Sequence, residues 1–416
     1  MSSTRTAKPG TPFRQEKFAS ANQSGLLANL VAKRCLQIGD AAERAPIWFL
    51  QWLSWQPGGL AAHIPEIFSA GDLKLNPVED LERLLFETCL DGDGEYAPQY
   101  DPDWQLAAAY RARWIKKHSG GVETTIGRKI VEAFAHARET RSLVLIQGVS
   151  GVGKSHVARE YVQRGAGLAR LINVPSAGDD QSFFRTIATA LGLSSSLKLK
   201  AVEMRERIET TLCCGDLELI FDQAEFLFPQ YLRGYSLPSR LAWIRTALVD
   251  RGVPVSLLAT PQYDKEKSRT EKLTGWNSAQ WTSRISFVQD LPEVLTTKDL
   301  ITAARGIFPE GDEKTWLALA GYVAENPHRN LFHIEALAKR ARRLATQRER
   351  TEAMPDDLRN ALRESMSPVA TRDSRTIRRP RAAISPARRD ISASIGQHTR
   401  NNFTMLDAPA SGLVVK

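Results

Sequence analysis

No run in this chain is apolar for the roughly 20 residues that a membrane-spanning helix requires, so an integral membrane protein is not expected. The opening residues, MSSTRTAKPGTPFRQEKF, are polar and basic with no apolar segment behind them, which speaks against a secretory leader. Cysteine is scarce. The four present, Cys35, Cys89, Cys213 and Cys214, form no C-x-x-C pair and have no histidine at metal-ligand spacing. That leaves neither a disulfide framework nor a zinc site, and free thiols in a reducing cytoplasm are the expectation. Acid is in deficit as well: 56 Lys and Arg stand against 47 Asp and Glu, a net charge of +9.

The basic excess is unevenly placed. The last fifty residues, from Ser367, hold nine Arg and Lys against three Asp, or +6 of the total. A second cluster, Lys339, Arg340, Arg342 and Arg343, lies on an expected helix just upstream. Clusters of this kind suit a polyanion, most simply nucleic acid, while a solvated helix face followed by a loose tail is the plainer alternative.

The remaining composition, 42% hydrophobic and 25% charged over 416 residues, is that of a folded protein with two or three domains. Residues 1–24 read as a disordered basic arm and 25–118 as a mainly helical N-terminal domain. Five of the nine tryptophans fall in that domain, three of them at helical intervals in PIWFLQWLSW, and are read as core. Across 119–291 the grammar changes. Apolar runs at 143–147, 168–174, 217–222 and 253–260 alternate with helical patterns at 156–164, 181–191, 202–212 and 237–249. Such alternation predicts a parallel sheet covered on both faces, an α/β fold. Over 292–352 only helical patterns follow, giving a lid, and 353–416 reads as a basic, disordered tail with too few large apolar residues to fold alone.

The chemistry concentrates at Gly148-Val149-Ser150-Gly151-Val152-Gly153-Lys154-Ser155, between an apolar strand and a helix that opens with His156. Glycines there let backbone N–H groups point at phosphate oxygens, Lys154 reaches the β- and γ-phosphates, and Ser155 offers a hydroxyl to Mg²⁺. The partner acid for Mg²⁺ is expected at the end of another apolar strand, and Asp222 stands there, sixty-eight residues after Lys154. The residue after it, where a water-activating carboxylate is expected, is Gln223; the next acid, Glu225, should point away from the phosphate if the turn continues the strand. Thr260, with Gln262 close behind, ends a third apolar run and is placed to meet the γ-phosphate or merely to cap the strand. Arg284 precedes one more apolar strand, as an arginine finger or a surface residue, and Arg329 opens a lid helix where it can face the nucleotide in cis.

Together, the phosphate loop, the magnesium acid, the polar strand end, Ser283-Arg284-Ile285 and a lid beginning Asn326-Pro-His-Arg329 resemble an AAA+ ATPase. Four segments further resemble transposition ATPases of the phage Mu B and TniB type, over roughly residues 122–350. They are IGRKIVEAFAHARETRSLVLIQGVSGVGKS, INVPSAGDDQSFFRTIATALGL, LELIFDQAEFL, and VPVSLLATPQYDKEKSR followed by WTSRISF. The resemblance implies an ATP- and Mg²⁺-dependent homo-oligomer, a ring or filament on double-stranded DNA bound without sequence preference. It also implies recruitment of a transposase and dismantling by hydrolysis. Residues 25–118 and the tail match that family only in placement, and Gln223 stands where it has Glu, which implies slow turnover.

Two other classes compete with that reading. A P-loop kinase of a small molecule needs neither a helical lid nor a large basic excess. A nucleotide-gated scaffold or signalling ATPase of secretion or immunity would share the core without binding DNA, and the response of duplex DNA to ATP separates it from the first reading.

Overall fold

The computed structural model describes residues 31–32, 35–68, 102–119, 124–176, 179–193, 199–229, 237–326 and 329–366. The arm expected over 1–24, the helical pattern at 78–89, most of the loop at 90–103, Pro327-His328 and everything from 367 on lie outside them.

The N-terminal module supplies helices α1 (Ala41–Ser54) and α2 (Pro102–Lys117). Asp40 caps α1 by accepting the Ala42 N–H, and the run from Ala45 to Leu53 is buried throughout. This module is not a separate body. Trp48, Phe49, Leu50 and Leu53 share one hydrophobic cluster with Leu145, Ile172, Phe183 and Leu257 of the sheet region. Polar ties run across the same seam. Arg44 grips Asp216 through two bonds, Nε to Oδ2 at 2.6 Å and Nη2 to Oδ1 at 2.8 Å, and Trp48 Nε1 donates to the same carboxylate at 3.1 Å. Buried Arg170 donates to Gln51 Oε1 at 2.8 Å, and burial pushes its pKa down to about 9. The expected boundary near 118 therefore marks no break in packing, because the tryptophans that read as a private core are spent on the shared one.

Helix α3 (Thr125–Thr140) starts at a Thr124 cap and ends on Arg141 in the left-handed region, and its Ile126, Ile130, Phe134 and Ala137 form the buried stripe. Next come β1 (Leu143–Gln147), α4 (Lys154–Arg164), β2 (Ala169–Asn173), α5 (Asp180–Ala190), α6 (Ala201–Leu212), β3 (Glu218–Asp222) and β4 (Val255–Ala259). Helix α7 (Gln262–Thr274) and β5 (Ile285–Asp290) complete the layer. Among the described residues five strands form one parallel sheet, in the order β2-β3-β4-β1-β5. The runs LVLI, LIF and VSLLA are near-continuously apolar because helices cover both faces of the central strands. Edge strand β5 is half-buried or exposed throughout.

The lid is α8 (Thr297–Ile307), α9 (Glu313–Ala324), α10 (Leu331–Gln347) and α11 (Pro355–Met366), built on its own cluster around Leu300, Phe308, Leu319, Ile334 and Leu358. The expected lid end at 352 needs correction: α11 folds back where a tail was expected to begin. Its contribution is small in apolar area, Leu358, Ala361 and Leu362, but Asp357 is fully buried and anchors it. That carboxylate accepts from Arg348 at 2.6 Å, Arg350 at 3.2 Å and the Met354 N–H at 3.0 Å. Among the described residues no helix is long and apolar enough to cross a membrane.

One core acid makes a pH signature. Glu218 at the head of β3 is fully buried and accepts from Ser256 Oγ at 2.9 Å and Tyr161 OH at 3.0 Å, and burial raises its pKa to about 7. A carboxyl whose folded pKa is raised stabilises the fold fully below its unfolded pKa, and that contribution is lost as pH rises through the folded value. Between the ordinary value of 4.5 and about 7 the loss is on the order of 3 kcal/mol. Glu218→Gln should remove this slope: denaturation midpoints of the wild type should fall between pH 5 and pH 8, and those of the variant should fall distinctly less.

Candidate nucleotide-binding site

Gly148 to Ser155 join β1 to α4 at the C-terminal edge of the sheet. Two backbone bonds fix the root of the loop: Gly148 N–H donates to the Ala259 carbonyl on β4 at 3.2 Å, and Leu291 N–H to the Gln147 carbonyl at 2.8 Å. Gly151 and Gly153 take φ of +82° and +100°, a region where L side chains are strained. Among the described residues, the N–H groups of Val149 through Lys154 have no hydrogen-bond partner. Consecutive free N–H groups at a helix N-terminus form a cradle for an anion.

The Lys154 ammonium lies within the loop's curl, 7% exposed, donating to the Gly148 carbonyl at 2.6 Å and the Val149 carbonyl at 3.0 Å. Burial lowers its pKa, and the nearby carboxylates of Asp222 and Glu225 pull it back up. Asp222 ends β3, buried, with Oδ1 accepting the Gln223 N–H at 3.0 Å. Ser155 is half-buried in the first turn of α4, while His156 is exposed and pairs with Glu160 at 3.0 Å on the outer face. Among the described residues no three His, Cys, Asp or Glu side chains converge as a metal site. A divalent ion here would lean on one acid, one hydroxyl and phosphate oxygens, the sparse ligation Mg²⁺ favours.

Glu225 departs from expectation. Gln223 adopts φ of +60° and its side chain is exposed, so the chain reverses and a tight turn, Ala224–Leu227, carries Glu225 inward. There Glu225 is 8% exposed, with Oε1 accepting from Thr260 Oγ1 at 3.0 Å and Oε2 from the Thr260 N–H at 3.4 Å. A straight continuation of β3 would have turned it away. Gln262 is exposed, bonded to Glu266 at 3.4 Å, and Thr260 is the polar side chain that faces inward.

The family described as AAA domain matches residues 137–265, which contain the loop, Asp222, Glu225 and Thr260. That match spans 129 of the 416 residues. Solved structures that the chain matches include the ORC2 protein of Aeropyrum pernix in ADPNP and ADP complexes, 17% identical over 57% of this chain and 68% of that one, with a TM-score of 0.43. Domain III of the Thermotoga maritima replication initiation protein DnaA is 18% identical over 57% of this chain and 92% of that one, with a TM-score of 0.36. Cdc6p of Pyrobaculum aerophilum is 15% identical over 57% of this chain and 65% of that one, with a TM-score of 0.39. No curated protein matches the chain.

Around the AAA domain, the other expected residues fall less simply. The lid sits directly on the loop: Asn330 Nδ2 donates to the Ser150 carbonyl at 3.3 Å and the Leu331 N–H to the Gly151 carbonyl at 3.2 Å. Asn330 is legible in sequence as a helix cap, but nothing local reveals what the cap touches. Arg329 is not brought to the loop. It stacks 3.7 Å over the Tyr322 ring and donates to the Tyr322 carbonyl at 2.6 Å, because α9 offers it an aromatic face and a free C-terminal carbonyl. Arg284 stands before β5, at the end of the sheet opposite the loop, and pairs with Asp250 at 2.7 Å while staying 46% exposed. In the basic cluster Lys339 pairs with Glu335 at 2.6 Å, Arg340 with Glu364 and Arg342 with Glu310 at 3.2 Å, which leaves Arg343 unpaired among the described residues.

Proposed function

We propose that this chain is an ATP-dependent, oligomerising, DNA-binding ATPase that marks double-stranded target DNA and recruits or activates a transposase, as in the Mu B and TniB type. The observation that carries it is the loop itself: a row of free N–H groups around a buried lysine, with Asp222 and Glu225 close by. In this reading Gly148 to His156 hold the triphosphate, Ser155 and Asp222 hold Mg²⁺, and Thr260 lies at the strand end beside the γ-phosphate. Bound Mg²⁺ would supply charge neutralisation of the phosphates. Arg284 acts only across a subunit boundary, since its own loop is at the other end of its sheet, and a ring or filament in the cytoplasm provides that neighbour.

The polyanion contact falls mainly to the tail. Ion pairs at Lys339, Arg340 and Arg342 neutralise much of the lid cluster, although pairs this exposed are weak and open readily to a phosphate. The same pairs favour the second reading, a nucleotide-gated scaffold that never touches DNA. Retention of labelled duplex DNA separates the two. ATP should promote binding regardless of sequence, and binding should fall steeply with salt. Deletion from Ser367 should weaken it by about tenfold or more and flatten the salt slope, through lost counterion release. Absence of binding with ATP at low salt would establish the scaffold reading instead.

A further inference from the structure

Hydrolysis of the γ-phosphate needs a water that is oriented and relieved of a proton as it attacks, and a carboxylate does both where an amide only orients. Gln223 is exposed, its backbone stands at φ of +60°, and its own N–H donates to Asp222 Oδ1. The carboxylate at Glu225 is turned inward. Strand β4 ends at Ala259, one residue before Thr260, and pairs with β1 residue for residue through Ala259 and Gln147; the next residue of β1's path is Gly148, the first of the loop. Glu225, fastened to Thr260 by both its oxygens, therefore sits beside the root of the phosphate loop and close to Lys154.

We propose that Glu225 is the catalytic base of the ATPase and that Thr260 is its positioning residue. This rests on the ATPase reading above and settles which side chain serves it. The water oxygen bonds to the γ-phosphorus as its proton passes to the Glu225 carboxylate. The bond from the γ-phosphorus to the β–γ bridging oxygen breaks, ADP and phosphate leave, and the proton passes on to solvent. Each carboxylate oxygen accepts one bond from Thr260 and keeps a second lone pair for the water. The arrangement gives Thr260 two jobs in one residue, since its hydroxyl and its N–H hold the two oxygens of one carboxylate in a fixed plane.

A purely structural role, Glu225 capping the end of β4, makes different predictions. In the full-length chain, Glu225→Gln should lower turnover by about 100-fold or more, the size of a lost general base, with the Kd for a fluorescent ATP analogue within about threefold of wild type. Nucleotide recovered from that variant after incubation with Mg²⁺ and ATP and gel filtration should be ATP, where wild type yields ADP. Gln223→Glu should change turnover by less than about threefold, because that side chain faces solvent. Thr260→Val should lose most of the turnover and Thr260→Ser should restore it. Turnover in Glu225→Gln within a few-fold of wild type overturns the proposal, as does a gain in Gln223→Glu. Loss of nucleotide binding together with a lowered melting temperature in Glu225→Gln would assign the residue to structure alone. A wild-type chain that binds no nucleotide overturns the ATPase reading as well, an outcome visible before any variant is made.

Discussion

Lys154→Ala should weaken ATP binding by about 100-fold or more and leave the fold intact. The ammonium is the one cation the loop holds inside its own curl, bonded only to the Gly148 and Val149 carbonyls. Phosphate oxygens would exchange those two neutral acceptors for charged ones, and a hydrogen bond to a charged partner contributes about 1.5–3 kcal/mol. Losing it removes one to two powers of ten in affinity, and losing its field on the remaining negative charge removes more. Stability should move little, since burial already lowers the pKa of this lysine and its removal relieves that desolvation. Calorimetric titration with ATP, beside a thermal melt, measures both. Near-native affinity in a folded variant would exclude the loop as the nucleotide site.

Gly167→Ala should destabilise the whole described body by about 3 kcal/mol or more, the largest effect expected outside the nucleotide site. Gly167 lies in the turn between α4 and β2 at φ of +87°, which alone costs a side chain about 1 kcal/mol. The added Cβ would stand 2.6 Å from Phe49 Cα, 2.7 Å from the Trp48 carbonyl oxygen and 2.8 Å from the Phe49 nitrogen. All three are backbone atoms, so no rotamer change relieves the clash and α1 must back away from the sheet. Withdrawal would also break the bonds between Arg170 and Gln51 and between Arg44 and Asp216. Chemical denaturation should show one transition at a lower midpoint, because module and sheet share a core. Two separate transitions, or an unchanged midpoint, would show that the N-terminal helices fold as a body of their own.

Much of this architecture was legible in advance because it is encoded locally. The strands fall within a residue or two of the apolar runs at 143–147, 168–174, 217–222 and 253–260, since central parallel strands need apolar residues on both faces. The phosphate loop was legible for a similar reason: its glycines, lysine and serine act within eight consecutive positions, and the strand and helix around them announce themselves. Helix α11 escaped because a short amphipathic helix with two leucines is worth little in apolar area, and the buried Asp357 that anchors it is paired by arginines of the turn between α10 and α11.

The side chains that complete the candidate site were not legible, and the reasons are geometric. The inward turn of Glu225 follows from a left-handed backbone at a non-glycine residue, Gln223, where composition gives no warning. Asn330 reaches Ser150 across 180 positions of chain, and Arg329 beside it turns the other way onto Tyr322. Sequence by itself determined the period of each element, the composition of the loop and the charge balance, because these depend on residues a few positions apart. Only the tertiary structure decided that the N-terminal tryptophans complete the core beside the sheet, that Glu225 rather than Gln223 faces Thr260, and that the lid rests on the loop through Asn330. The Glu225 and Asn330 contacts join residues 35 and 180 positions apart, and the tryptophans meet sheet residues far along the chain, so their free energy exists only once the sheet has brought the segments together.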